Sequence, residues 1–167
     1  PRVPNSTIKP GSASASYMVR CGVLLASQAV LRRQLQLFAQ LSPENATQGV
    51  TTEVTEGALL PSWASQTRCA HVMELTCQML ANIMYESHEA TRIVAHTLAS
   101  ILVQVVGICS SISFAFYSSG TTVSDPDISK KDLRHTCARL FDMSMHVMGN
   151  ITVVADNVPL LLAVNII

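Results

Sequence analysis

Apolar residues recur at helical spacing in four stretches of the chain, which we place at residues 17–41, 65–86, 88–117 and 126–148. Residues three and four apart lie on the same face of an α-helix, so this spacing is typical of amphipathic helices. In the first stretch the apolar positions are Tyr17, Cys21, Leu24, Leu31, Leu35 and Phe38. The pattern predicts a mainly α protein, built as a bundle of about four helices.

The third of these stretches carries the strongest signal. No charged residue lies between Arg92 and Asp125, and a helix over residues 93–117 is long enough to cross a hydrocarbon layer of about 30 Å. We expect this helix to be hidden from water, either as a transmembrane helix or as the central helix of a water-soluble bundle. We also expect its polar residues, including His96 and Gln104, to face other helices, because they are costly against lipid.

Three segments outside these helices lack the periodicity. Residues 1–15 contain three prolines and many small residues, which predicts a flexible N-terminal arm ahead of a single helical domain at residues 16–167. Residues 42–64 form a loop longer than a compact bundle usually needs, so we expect it to contact something outside the chain. The tail after residue 148 is apolar and β-branched, and Pro159 bars a continuous helix there. We expect this tail to be a strand or a segment docked on a partner.

Charge is scarce in this chain. Charged residues make up 13% of the sequence and hydrophobic residues 49%, whereas about a quarter of the residues in ordinary soluble domains are charged. The scarcity predicts association with other protein subunits, as a homo- or hetero-oligomer, or with membrane lipid. It favours a membrane-associated location, with a secreted or cell-surface location as the alternative. Because the 11 basic residues are balanced by 11 acidic ones and form no basic patch, we expect no nucleic-acid partner.

The five cysteines follow no disulfide or metal motif. Their spacing is irregular, and no C-x-x-C pair occurs. Cys69 and Cys77 lie on one predicted helix, roughly 12 Å apart along its axis, so they cannot bridge each other. We interpret the cysteines as buried small hydrophobes.

Three Asn-x-Ser/Thr triplets begin at Asn5, Asn45 and Asn150. They are candidate glycosylation sites, although a chain rich in Ser and Thr contains one or two such triplets by chance. The triplets support one alternative hypothesis, in which the chain is a helical module of a larger glycosylated secreted or cell-surface protein.

A polar stripe on the last predicted helix offers a local candidate for chemistry. Its members, spaced at i, i+4, i+7 and i+11 on one helix face, are His135, Arg139, Asp142 and His146. Asp142 and His146 could supply two metal ligands or an acid–base pair, but no third ligand is identifiable. We favour a solvated or partner-facing stripe, and we assign no catalytic, cofactor-binding or metal-binding residue.

No nucleophile, phosphate-binding or dinucleotide-binding motif occurs in the sequence, so we do not expect an enzyme. The leading hypothesis is a non-enzymatic structural or interaction subunit of a larger assembly, with or without a membrane. Trp63, the only tryptophan, is either a core-edge residue or an anchor for a partner. The remaining alternative is a haem- or metal-binding bundle, in which His96 is an axial haem ligand together with His71 or His146.

Overall fold

The structure, a computed structural model, describes residues 10–41, 63–118 and 128–154 together with residues 157, 159 and 162. The regular secondary structure in these ranges is helical. The helices are α1 (Pro10–Arg20), α2 (Val23–Gln40), α3 (Trp63–Glu86), α4 (His88–Ser118) and α5 (Ile128–Thr152). The prediction of a mainly α bundle is therefore confirmed, and the last three helices lie close to their predicted bounds.

The prediction of one helix at residues 17–41 is wrong, because this region belongs to two helices, α1 and α2. Gly22 separates α1 from α2 with a φ of 77°, in the left-handed region, and the two helices are bent by 65° relative to each other. Glycine adopts this conformation without the steric cost that a Cβ atom imposes. α1 also begins at Pro10, so residues 10–15, which we assigned to the flexible arm, belong to a helix.

The end of α5 also differs from the expectation. The helix continues to Thr152, past the predicted end at residue 148. The buried Asn157 donates from its side-chain amide to the carbonyl of Ile151 at 2.9 Å, which satisfies a carbonyl in the last helical turn. No strand occurs in the part of the chain that the structure describes, and most of the predicted loop and of the apolar tail lies outside that part.

A single residue, Ser87, separates α3 from α4. Its side-chain oxygen accepts a hydrogen bond from the backbone N–H of Ala90 at 3.2 Å, which caps the start of α4. The hydroxyl of Thr91 donates to the carbonyls of Met84 and Ser87, at 3.3 and 3.2 Å. The two long helices are thus joined by a hydrogen-bonded junction rather than by a loop.

The core is centred on α5. This helix packs most extensively on α3 and next most extensively on α4. The largest fully buried side chains include Leu31, Met73, Leu80, Leu98, Leu102, Leu133, Leu140 and Ile151. Two side-chain amides tie α2 to this core: Gln28 donates to the carbonyl of Thr97 at 2.8 Å, and Gln66 donates to the carbonyl of Leu41 at 3.2 Å. One face of α4 is left exposed by this arrangement.

Candidate functional site

The exposed face of α4 carries the polar residues of the uncharged helix. We call this surface the α4 outer face, and its members are His96, Ser100, Val103, Gln104, Gly107, Ser110 and Ser111. They recur at three- and four-residue spacing, so they form one continuous stripe. The opposite face packs into the core through Val94, Leu98, Leu102, Val105 and Cys109. Among the described residues, His96 and Gln104 thus face no other helix, contrary to our expectation.

The α4 outer face has no charged residue beyond Arg92. From Ile93 to Ser113 it extends for about 30 Å at the rise of an α-helix. The hydroxyl of Ser111 donates to the carbonyl of Gly107 at 2.9 Å, so this hydroxyl is satisfied by its own helix. A Cβ atom at Gly107 would meet nothing within 4 Å. The face is therefore smooth near Gly107, and the described part of the chain leaves it uncovered.

Length and composition permit α4 to cross a membrane between His88 and Ser113. In the described part of the chain, α4 is the one helix that is long and apolar enough by itself. α1 and α2 reach the required length and hydropathy only when they are counted together across their bend. A core helix of a soluble bundle meets the same criterion. A single span would also turn His96 and Gln104 toward lipid, where such side chains are costly.

The polar stripe on α5 lies on the surface of the described part of the molecule. His135, Asp142 and His146 are exposed, and no group of three or more His, Cys, Asp or Glu side chains is arranged to hold a metal ion in the described ranges. His71 and His96 also occupy exposed positions. An axial haem ligand in a helical bundle has to face the interior, so the geometry gives the haem hypothesis no support.

Arg139, the fourth member of the α5 stripe, binds a carboxylate on another helix. Its Nε and Nη2 atoms donate to the two carboxylate oxygens of Glu74 in α3, at 2.8 and 3.2 Å. His71 approaches the same carboxylate, with its Nδ1 3.1 Å from Oε2 of Glu74. Burial raises the pKa of Glu74, but the hydrogen bonds and charges of Arg139 and His71 outweigh burial, so the pKa is lowered. The three side chains form an ion-pair bridge between α3 and α5, which the sequence did not predict.

The candidate glycosylation sites fall into two groups. Asn5 and Asn45 lie outside the described residues. Asn150 lies within α5, and its side-chain nitrogen is buried without a hydrogen-bond partner in the described part of the chain. That nitrogen is the atom that would carry a glycan, so a glycan at Asn150 is incompatible with this packing.

Trp63 is the first residue of α3. It is half-buried and packs against the hydrophobic core. This position agrees with a core-edge residue, while a role as partner anchor stays a prediction.

Three buried thiols converge from three helices. Cys77 of α3, Cys109 of α4 and Cys137 of α5 are each at most 1% exposed. The sulfur of Cys77 lies 3.8 Å from the hydroxyl oxygen of Ser144. All five cysteines are free, and all but Cys21 are buried. The interpretation of the cysteines as buried small hydrophobes is thus confirmed for four of them.

The environment of these thiols shifts their pKa values in different directions. Burial raises the pKa of Cys77 to about 11. The neighbouring thiol of Cys137 and, next, burial raise the pKa of Cys109. The thiol of Cys109 lowers the pKa of Cys137, against the effect of burial.

Two features thus stand out in the described part of the molecule: the uncharged α4 outer face and the buried thiols. Neither includes a nucleophile paired with a general base, which an acyl- or phosphoryl-transfer site requires. Compared with protein-family models, with curated proteins and with solved structures, the chain matches none of them.

Proposed function

We propose that the chain is a non-enzymatic structural subunit that associates with a second copy of itself through the α4 outer face. The observation that carries this proposal is the length of exposed helix without a charge, from Ile93 to Ser113. An exposed helix surface in a soluble protein usually carries charged side chains. When another helix covers a face that lacks them, no charged group has to lose its water.

The electrostatics favour a second copy as the partner. A symmetric dimer brings the same patch of both subunits together, so a patch that carries charges of one sign is repelled by its copy. The α4 outer face opposes no like charges in such a pair, and the whole chain has a net charge of zero, so long-range repulsion is absent as well.

The shape of the face supports a helix as the contacting element. Ser100, Gly107 and Ser111 are small, and small residues allow two helix backbones to approach closely. Gly107 costs α4 about 1 kcal/mol relative to alanine, and nothing within the described part of the chain lies near enough to require the missing side chain. Close approach of another helix supplies a reason for a glycine at this position.

Charge insertion tests the proposal. We expect the wild-type chain to be a dimer in sedimentation-velocity and light-scattering measurements, in detergent-free buffer. The double substitution Ser100→Glu and Gln104→Glu should make it a monomer, because two carboxylates on each copy would meet across the symmetric contact. The matched control is Gln78→Glu with Asn82→Glu, which places the same charges on exposed positions of α3 and should leave the dimer intact.

Three results would contradict the proposal. One is a wild-type chain that stays monomeric at every accessible concentration. Another is a dimer that survives the α4 charges but not the α3 charges. The third is a chain that is recovered with vesicles of neutral phospholipid and resists extraction with carbonate, because a membrane would then be the partner of this face.

A further inference from the structure

The outward surface of α1 and α2 carries large apolar side chains on both sides of the bend at Gly22. Tyr17 is 69% exposed and Leu25 is 65% exposed, while Met18 and Val30 are each 37% exposed. Single exposed apolar residues are common on protein surfaces, whereas a group of them marks a binding surface. We call the exposed surface of these two helices the elbow face.

Both helices of the elbow face lie on the same side of the molecule. α1 and α2 each pack against α3 and α4, and neither makes an extensive contact with α5 in the described part of the chain. α1 enters the core through Ala15, and α2 enters it through Leu24, Leu31 and Leu35. The outer sides of α1 and α2 therefore point away from the same pair of helices, so that one flat partner reaches both.

The elbow face carries charges of one sign. Arg20, Arg32 and Arg33 are exposed, and no acidic residue occurs from Pro10 to Leu41. α1 and α2 thus have three positive charges and no negative one, although the net charge of the whole chain is zero. Within the described residues, no ion pair neutralises these arginines. The face combines exposed apolar area with positive charge that the described part of the chain leaves unbalanced.

We propose that the elbow face binds the surface of a membrane that contains anionic phospholipid. Helices with exposed apolar and basic side chains lie in the plane of a bilayer surface, with the apolar groups at the boundary between headgroups and acyl chains. The arginines then bind lipid phosphates. A membrane supplies both complements, whereas an acidic protein surface supplies only the charge. The α4 outer face takes no part, so this proposal does not depend on the dimer.

The structure favours peripheral binding over a membrane span for these helices. Counted together, α1 and α2 are long and apolar enough to cross a membrane, but they are bent by 65°. Their inner sides are also committed to the core, because Leu24 and Leu31 are at most 3% exposed. Only the outer side is available to lipid while the bundle stays folded. High salt and carbonate should therefore reverse the binding.

Cosedimentation of the full chain with vesicles tests the proposal. The vesicles contain phosphatidylcholine alone or an equimolar mixture of phosphatidylcholine and phosphatidylserine. We expect strong binding to the mixed vesicles, weak binding to the neutral ones, and release in high salt, because salt screens exposed charges. Absence of binding, equal binding to both kinds of vesicle, or binding that survives a carbonate wash would overturn the proposal.

One pair of variants tests the contribution of charge. Arg32→Gln with Arg33→Gln should lower the partition coefficient for mixed vesicles about 30-fold, at roughly fivefold for each charge. The matched control is Arg68→Gln with Lys131→Gln, which removes two exposed charges from α3 and α5. The control should leave the partition coefficient within about threefold of wild type, because its charges lie away from the lipid. An equal loss in both variants would show that net charge alone acts.

A second pair of variants tests the apolar contribution. Tyr17→Ser with Leu25→Ser should lower the partition coefficient at least about tenfold, because two apolar side chains no longer leave water. Tyr85→Ser with Leu75→Ser is the matched control, since these residues are 89% and 50% exposed on α3. Equal losses in the test and control variants would contradict a contact at the elbow face.

A fluorescent probe at Cys21 shows which surface touches the lipid. Cys21 lies between Tyr17 and Leu25 in the chain and is exposed, whereas the other four cysteines are buried. A polarity-sensitive thiol reagent such as acrylodan should therefore label Cys21 selectively in the folded chain. Mixed vesicles should shift its emission to shorter wavelengths, because the probe leaves water. Vesicle binding without this shift would place the contact elsewhere and overturn the proposal.

Discussion

At the scale of single residues, the ion-pair bridge between α3 and α5 brings the guanidinium of Arg139 and the imidazole of His71 to one carboxylate, that of Glu74. The side chain of Glu74 is 14% exposed and that of Arg139 is 43% exposed. Exposed ion pairs contribute about 0–1 kcal/mol to the free energy of unfolding. A partly buried, bidentate pair such as this one belongs at the upper end of that range. The bridge thus fixes how α3 and α5 lie against each other more than it stabilises the fold.

Acid should weaken this bridge. The pKa of Glu74 is lowered in the folded chain from an ordinary value of 4.5, so its stabilising effect is complete above about pH 4.5 and is lost as the pH falls through the folded-state pKa. We expect Glu74→Gln to lower the free energy of unfolding by about 1 kcal/mol at pH 7. The difference from wild type should shrink below pH 4.5, as measured by urea unfolding at several pH values.

The exposed carboxylate of Asp142 provides the control for this prediction. Asp142→Asn removes a negative charge from α5 without touching the bridge, so its effect at pH 7 should stay within about 0.5 kcal/mol. Equal effects of the two substitutions at every pH would show that the bridge contributes nothing specific.

Alkali should act on the buried thiol of Cys77. Its pKa is about 11 in the folded chain and 9.0 without burial, so the unfolded chain releases the proton first as the pH rises. The fold then loses stability between pH 9 and 11, by at most about 1.4 kcal/mol for each pH unit. In urea unfolding under reductant, Cys77→Ala should flatten this alkaline decline. The exposed Cys21→Ala serves as the control, and an unchanged slope in Cys77→Ala would contradict the assignment.

At the scale of helices, substitution of two glycines by alanine should change the stability of the fold in opposite directions. Gly22 has a φ of 77°, where a Cβ atom costs about 1–2 kcal/mol, so Gly22→Ala should lower the melting temperature. Gly107 lies in regular α4 with open space around it, so Gly107→Ala should stabilise the helix by about 0.5–1 kcal/mol. Calorimetry of each variant measures both effects. A loss of stability in Gly107→Ala that depends on protein concentration would instead indicate that the substitution disturbs the dimer.

The helices could largely be predicted from periodicity, but the break at Gly22 could not. Apolar positions continue at helical spacing from Tyr17 through Cys21 to Leu24, so the pattern reads across the bend. An isolated glycine inside a helix is tolerated at a cost of about 1 kcal/mol, and its φ angle depends on packing that the local sequence does not contain.

The exposed face of α4 could have been predicted. His96, Ser100 and Gln104 are spaced four residues apart, which places them on one side of the helix. The lack of charge in this segment by itself predicts a helix that is hidden from water, and it does not distinguish one face from the other. A polar stripe made of uncharged residues has the same geometry as a charged one, and it orients the helix equally well.

At the scale of the whole molecule, stability should depend on the core around α4 and α5. Leu98 is fully buried, whereas Leu25 is 65% exposed. We expect Leu98→Ala to lower the free energy of unfolding by about 2–5 kcal/mol, through lost burial and the cavity left behind. Leu25→Ala should change it by less than about 0.5 kcal/mol. Urea unfolding compares the two, and similar losses for both would mean that the surface of α2 is covered in solution.

The convergence of residues from different helices could not be predicted from the sequence. Glu74 and Arg139 are 65 positions apart, and Cys109 and Cys137 lie on separate helices. Periodicity predicts which face of each helix is buried, but it leaves open which faces meet. For that reason the sequence predicts the polar stripe on α5 as one unit, although Arg139 binds α3 while His135 and His146 remain exposed.

The pairing of α3 with α5 has a consequence for how the chain folds. These two helices form the most extensive contact, yet the whole of α4 lies between them along the chain. Such a contact forms only after a long loop has closed, which costs entropy before any packing is gained and slows the reaction. During synthesis, α1 to α4 leave the ribosome before their principal partner exists. The nascent chain therefore exposes the core surfaces of α3 and α4 until α5 emerges, and this interval is when a chaperone would bind it.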